Sequence, residues 1–217
     1  MRHLHATGRR ERFVASGVYL TGGGLREYWS IHEVGGGAQF IRVDRDGRGC
    51  GRRSLLQEAL RNANGTLERV DQHLYGLDGH LEARLRCTRF QNAVEIDLET
   101  GASPCRVDFP GAGDRLLLMP GILLAGMALS QAAEMPQPVD ALLVTQVGDG
   151  FAWERQTLEA CCDPPVPAMV GAGNRKARSC KWSEFDRTFW LDPHDITLRL
   201  EDEMCRIELS RYARRHD

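Results

Sequence analysis

Hydrophobic and polar residues alternate along most of this chain with a period of two, the spacing that turns one face of a β-strand to a core and the other to water. Segment 81–90 is the clearest case, with Leu81, Ala83, Leu85 and Cys87 on one face and Glu82, Arg84, Arg86 and Thr88 on the other. The same criterion predicts strands at 13–20, 25–34, 38–44, 93–98 and 104–109. Glycine runs at 22–24 and 35–37 separate the first three and supply the backbone freedom of turns. Residues 54–61 offer a helical stripe through Leu56, Ala59 and Leu60. The turn residues Asn62, Asn64 and Gly65, followed by alternation over 66–75, favour a hairpin instead.

One stretch breaks the pattern. Residues 116–134, LLLMPGILLAGMALSQAAE, are apolar on every side and predict a helix with Pro120 in its first turn, where a missing N–H costs nothing. A helix without a polar face must be buried, and Ala125, Gly126 and Ala128 let other backbone approach it closely. Its apolar part, 116–129, falls short of the roughly 20 residues needed to cross a bilayer, so no membrane span is expected. Beyond it, 139–147 (VDALLVTQV) is the strongest strand and should be central. Further strands are predicted at 151–160, 175–185, 186–191, 196–201 and 204–212, with a proline-rich loop at 163–167. The fold class expected is mainly β, an antiparallel curved sheet or half-open barrel of about ten to twelve strands around one buried apolar helix. Without a repeat or a long linker, 1–217 reads as a single domain with a basic tail at 1–12.

Charge narrows the partners. With 28 basic and 30 acidic residues the net charge is −2, which does not suit nucleic acid. Arginines gather at Arg9, Arg10 and Arg12 and at Arg211, Arg214 and Arg215, near the two ends, where solvated termini are the plain explanation. The first residues lack the apolar run of a secretory signal, so a cytoplasmic location is expected. Seven cysteines, an odd number without repeated spacing, fit reduced thiols better than a disulfide framework. Cys161, Cys162, Cys180 and His194 lack the paired spacing of zinc ligands, so no metal is expected. P-loop, G-x-G-x-x-G and G-x-S-x-G patterns are absent, and no cofactor is expected.

Four tryptophans, Trp29, Trp153, Trp182 and Trp190, fall in strand-like segments. A curved sheet could turn several inward to wall an apolar cavity, their N–H groups orienting a ligand; ordinary core packing is the alternative. Glu27 shares a face with Trp29, Glu154 adjoins Trp153, and Arg69 and His73 share one face of their strand. Inward charge is costly unless it meets a partner or a ligand head group, and a solvated outer face is the alternative for each. With Met127 on the helix, these nine residues form the candidate ligand-binding set.

The run MPGILLAGMAL, set among hairpins such as LLQEALRNANGTLERVDQHLYG and followed by WLDPHDITL before the last strands, resembles the spiral β-roll of bacterial lipoprotein carriers and putative glycolipid-binding proteins. The resemblance implies a half-open barrel that shelters an acyl chain or another apolar molecule. The expected function is therefore non-enzymatic binding of a hydrophobic or lipid-like ligand, an apolar small molecule or lipid being the partner. One alternative is an enzyme using the same cavity, with Glu27, Glu154 or His73 as acid or base. Another is a partner-binding module with a filled core, and a homodimer is compatible with each.

Overall fold

The computed structural model describes residues 11–21, 24–101, 104–170, 173–182, 187–201 and 206–214. Eight strands follow one another as an antiparallel meander: β1 (Arg12–Leu20), β2 (Arg26–Gly35), β3 (Ala38–Asp46), β4 (Ser54–Arg61), β5 (Leu67–Tyr75), β6 (Leu81–Phe90), β7 (Ala93–Thr100) and β8 (Pro104–Pro110). The chain then leaves this sheet. β9 (Leu116–Leu118), the helix α1 (Ile122–Ala133), β10 (Val139–Val147) and β11 (Gly150–Leu158) build a second, three-stranded sheet in which β10 is central, parallel to β9 and antiparallel to β11. Finally β12 (Ala160–Cys162), β13 (Val166–Val170), β14 (Gly173–Trp182), β15 (Thr188–Leu191), β16 (Thr197–Glu201) and β17 (Arg206–Arg214) rejoin the first sheet, β17 pairing with β1. The large sheet runs from β12 through β17 and β1 to β8, with β13 attached to β14. Among the described residues its two edges do not pair, so the barrel is not closed.

The protein is mainly β, with a large antiparallel sheet and, among the described residues, one α-helix. Among the described residues the strands number seventeen rather than ten to twelve. The excess includes β9 and β12, which are too short for a period of two to declare itself, and β13, which begins in what reads as a proline-rich loop. Residues 54–61 and 67–75 do form a hairpin. Between β2 and β3, Gly35, Gly36 and Gly37 all have positive φ, a conformation that side chains rarely tolerate. Residues 1–10 of the expected tail lie outside the described residues. Arg12 belongs to β1, where it faces Glu33 of β2 and donates to its carboxylate at 2.5 Å.

Successive strands carry Arg42, Glu58, Asp71, Arg86, Asp97 and Arg106 in cross-strand register, from β3 to β8. A slip of one residue would exchange this charged row for the buried row of Val43, Ala59, Val70, Leu85 or Cys87, and Ile96, so the alternation fixes register.

The apolar stretch divides in two. Leu116–Leu118 is strand, not helix, pairing with Ala141, Leu142 and Leu143 of β10. Met119, Pro120 and Gly121 turn the chain, and α1 starts at Ile122. Nine of its twelve residues are buried, and it packs against β9, β12, β14, β15 and β16. Gly126 allows this approach, because a Cβ there would collide with the Thr197 hydroxyl of β16, which donates to the Ile122 carbonyl at 3.2 Å. At the other end of α1, Ser130 donates to Asp195 at 2.5 Å, and Arg61 and Arg178 pair with the same carboxylate at 3.1 and 3.0 Å. The 110–115 connection is held by Arg89, whose guanidinium donates to the carbonyls of Leu67, Ala112, Gly113 and Arg115. No helix among the described residues is long and apolar enough to cross a membrane.

Reduced thiols are not found throughout. Cys162 and Cys180 face each other in the β12–β14 register with Cα atoms 4.1 Å apart and form a disulfide. Adjacent Cys161 points outward, as period-two alternation requires, and stays free. An odd count hides one pair among cysteines that sequence spacing does not relate. Alkylation of the denatured protein before and after reduction should differ by two labelled cysteines, identified by mass spectrometry as 162 and 180.

At Gly126 local propensity and packing oppose one another. Alanine would gain about 1 kcal/mol of helix propensity but would overpack against Thr197, at a cost of about 1–3 kcal/mol. Gly126→Ala should therefore lower the melting temperature, and Thr197→Ala should cost less beside it than alone, as a double-mutant cycle followed by thermal melts would reveal.

Candidate functional site

The N-terminus of α1 lies inside the protein, where water cannot take up its unpaired backbone N–H groups. The partner comes from β2, about a hundred residues earlier in the chain. The Glu27 carboxylate is 2% exposed and accepts from the Ile122 N–H at 2.9 Å and the Leu123 N–H at 3.2 Å. A negative group at this end also suits the helix dipole. Gly121, with φ 113°, precedes the helix, and a Cβ there would lie 2.9 Å from Gln57 Oε1 and 3.4 Å from Glu27 Oε2. Only glycine meets both demands.

Arg45 of β3 faces Glu27 across the strand pair. Its guanidinium also donates to the side-chain amide oxygen of Gln146 on β10, tying the two sheets together. Burial raises the Glu27 carboxyl above its ordinary value, and Arg45 and the two helix N–H groups pull it back part of the way. Burial lowers Arg45, and Glu27 opposes that shift.

Beside this pair opens a cavity of about 550 Å³. Its walls are largely apolar: Leu118, Ile122 and Ala125 around the helix start, Leu143 of β10, and Phe189 and Leu200 of the returning strands. Glu27, Arg45, Gln146 and Arg187 supply polar groups. A second cavity of about 710 Å³, lined by Arg52, Arg53, Leu77, Asp78 and Glu82 among others, shares Leu25, Arg45 and Gln146 with the first.

Of the nine residues in the candidate set, Glu27 and Trp182 line the apolar cavity. Trp29 is fully buried, its ring stacked on Tyr19 at 6.1 Å and tilted against Tyr212 at 6.0 Å. Met127 is buried within α1. Trp190 is half-buried on β15, beneath the Arg199 guanidinium at 4.5 Å. Arg69 pairs with Asp71 at 2.7 Å. His73 is half-buried between Leu56 of β4 and Arg84 of β6, with its pKa lowered by burial and then by Arg84. Trp153 is half-buried on β11, and exposed Glu154 accepts from Gln156. The three candidate acid–base groups therefore do not converge, since neither His73 nor Glu154 lines the cavity that Glu27 faces.

Arg45, Gln146 and Arg187 were not in the set. Arg45 was within reach of sequence reasoning: extending the hairpin register outward from the glycine turn pairs Glu27 with it. Gln146 and Arg187 reach the cavity through contacts between the two sheets and the returning strands, which no local pattern encodes. Among the described residues no group of three or more histidine, cysteine, aspartate or glutamate side chains could hold a metal.

No family model matches the chain, and no curated protein matches it. Among solved structures it is similar to a beta-barrel-like protein of domain of unknown function DUF1849 from Brucella abortus, at 10% identity over 95% of this chain and 98% of that one, with a TM-score of 0.42. A likeness at that score assigns no role to any residue here.

Removing the Glu27 carboxylate would leave two buried N–H groups without an acceptor and Arg45 without its counter-charge. Glu27→Ala should cost about 3 kcal/mol in a denaturant titration, and Glu27→Gln, which keeps an acceptor, should cost less. A carboxyl raised in the folded protein contributes stability fully below its unfolded value and loses it as pH rises through the folded one. The advantage of the native protein over Glu27→Gln should accordingly be largest in acid and shrink as pH rises through the upper carboxylate range.

Proposed function

We propose that the protein binds a hydrophobic, lipid-like molecule without transforming it, in the cavity at the N-terminus of α1. The observation that carries this reading is the cavity itself. Its volume of about 550 Å³ falls within the roughly 300–1,000 Å³ of small-molecule sites, and a mostly apolar wall with a few convergent polar groups is their usual lining. In this proposal the large sheet acts as a half-open barrel curling about α1, and the helix is the floor of the space it leaves unfilled. A carrier-like role of the kind implied by the β-roll resemblance fits such a space.

Catalysis finds less support. Glu27 is the perturbed carboxyl at the cavity, but its oxygen is committed to the helix N–H groups, and neither of the other acid–base candidates is beside it. As to compartment, the Cys162–Cys180 bond favours an oxidising environment over the cytoplasm expected from the N-terminal residues.

Protein purified without detergent should release an apolar compound on organic extraction, identified by mass spectrometry, and should bind an environment-sensitive fluorescent fatty acid. Ala125→Trp, which places a large ring in the cavity, should abolish both while leaving the far-ultraviolet circular dichroism unchanged. Repeated empty preparations together with no binding of the probe would sink the proposal.

A further inference from the structure

The apolar cavity has a polar annex, and Arg45 stands at the junction between them. Leu25, Arg45 and Gln146 line both spaces, so the two adjoin along these residues. The annex holds Arg45, Arg52 and Arg53 against Asp78 and Glu82. These five groups differ in what already neutralises them. Arg53 donates to Glu82, so that pair is satisfied internally, and Asp149 adds to the negative field around Arg53. Asp78 accepts from the His80 N–H at 3.0 Å, at an exposed turn. Arg52 is exposed, and among the described residues its side chain has neither an ion pair nor a hydrogen bond. Arg45 faces Glu27, whose carboxylate is committed to the helix, and donates to the neutral amide of Gln146. A guanidinium carries five N–H donors in a planar fork, so Arg45 keeps donors to offer where the apolar wall ends.

We propose, building on the binding function above, that the ligand is an amphiphile with an anionic head group, a carboxylate or a phosphate monoester, held by Arg45 and Arg52 while its tail fills the apolar cavity. The planar fork matches both head groups in bidentate geometry, which an ammonium or a hydroxyl does not. Arg187 also lines the apolar cavity. Glu27 lines the same cavity, but its Oε1 accepts from the Ile122 and Leu123 N–H groups and it takes none of the donors that Arg45 keeps.

Four ligands with the same saturated twelve-carbon chain, ending in carboxylate, phosphate, hydroxyl or ammonium, distinguish the possibilities when each competes against the fluorescent fatty acid. Carboxylate or phosphate should bind roughly tenfold to a hundredfold more tightly than the alcohol, the range for a charge-assisted hydrogen bond. The preference should weaken with added salt and fall severalfold in Arg52→Ala, an exposed change that leaves the fold intact. Acetate and inorganic phosphate alone should not compete, because without the tail the cavity stays empty. Equal or tighter binding of the alcohol or the amine would overturn the head-group assignment and leave the binding function standing. No binding of any of the four would overturn both. Competition by inorganic phosphate alone, without any chain-length dependence, would replace the amphiphile by a small anion.

Discussion

A helix that starts inside a protein must find acceptors for its first N–H groups, and in this chain the Glu27 carboxylate provides them. The requirement is severe because Ile122 and Leu123 are buried and nothing in α1 itself caps them. Supplying the acceptor from β2 brings a charge into the interior, which in turn requires Arg45 on the neighbouring strand. Arg45 then reaches β10 through Gln146. One capping requirement thereby joins the first hairpin, the helix and the second sheet. The opposite end of α1 is held in a corresponding way, with Asp195 receiving Ser130, Arg61 and Arg178, and cations suit the C-terminal end of a helix.

The same constraint locates the cavity. After Met119, Pro120 and Gly121 carry the chain from β9 into the helix with little side-chain bulk, and space remains where the large sheet, β10 and the helix start come together. Gly126 lets α1 sit close to β16 further along, and there no room is left. The result is a helix tightly packed in its middle, with open space on an otherwise apolar wall at its first turn. The charged pair needed for capping becomes the polar end of that space, which is how an apolar cavity can orient a ligand.

Much of the fold was legible in the chain. The alternation at 81–90 and the turn at Asn62, Asn64 and Gly65 specify their hairpins because one face of each strand is buried and the other is wet. The 139–147 strand is central, in the smaller sheet rather than the larger. What escaped has physical reasons. Leu116–Leu118 is apolar on all sides whether it lies in a buried parallel strand or in a buried helix, and three residues carry too little periodicity to separate the two. The Cys162–Cys180 bond depends on the β12–β14 register, which no local signal sets. Of the candidate set, Glu27 was picked out by sharing a face with Trp29 and does line the cavity, but the tryptophans mostly serve packing: Trp29 is closed in by Tyr19 and Tyr212, and Trp182 alone of the four lines the cavity. Partners such as Gln146 come together only through tertiary contact between separate sheets.

The most direct test is a crystal structure of the protein purified without detergent, with attention to the space bounded by Leu118, Ala125, Leu143 and Phe189. The account predicts continuous elongated density there, ending within hydrogen-bonding distance of the Arg45 guanidinium, with Glu27 still accepting from the Ile122 and Leu123 N–H groups. A cavity filled by its own side chains, or holding ordered water alone, would contradict it.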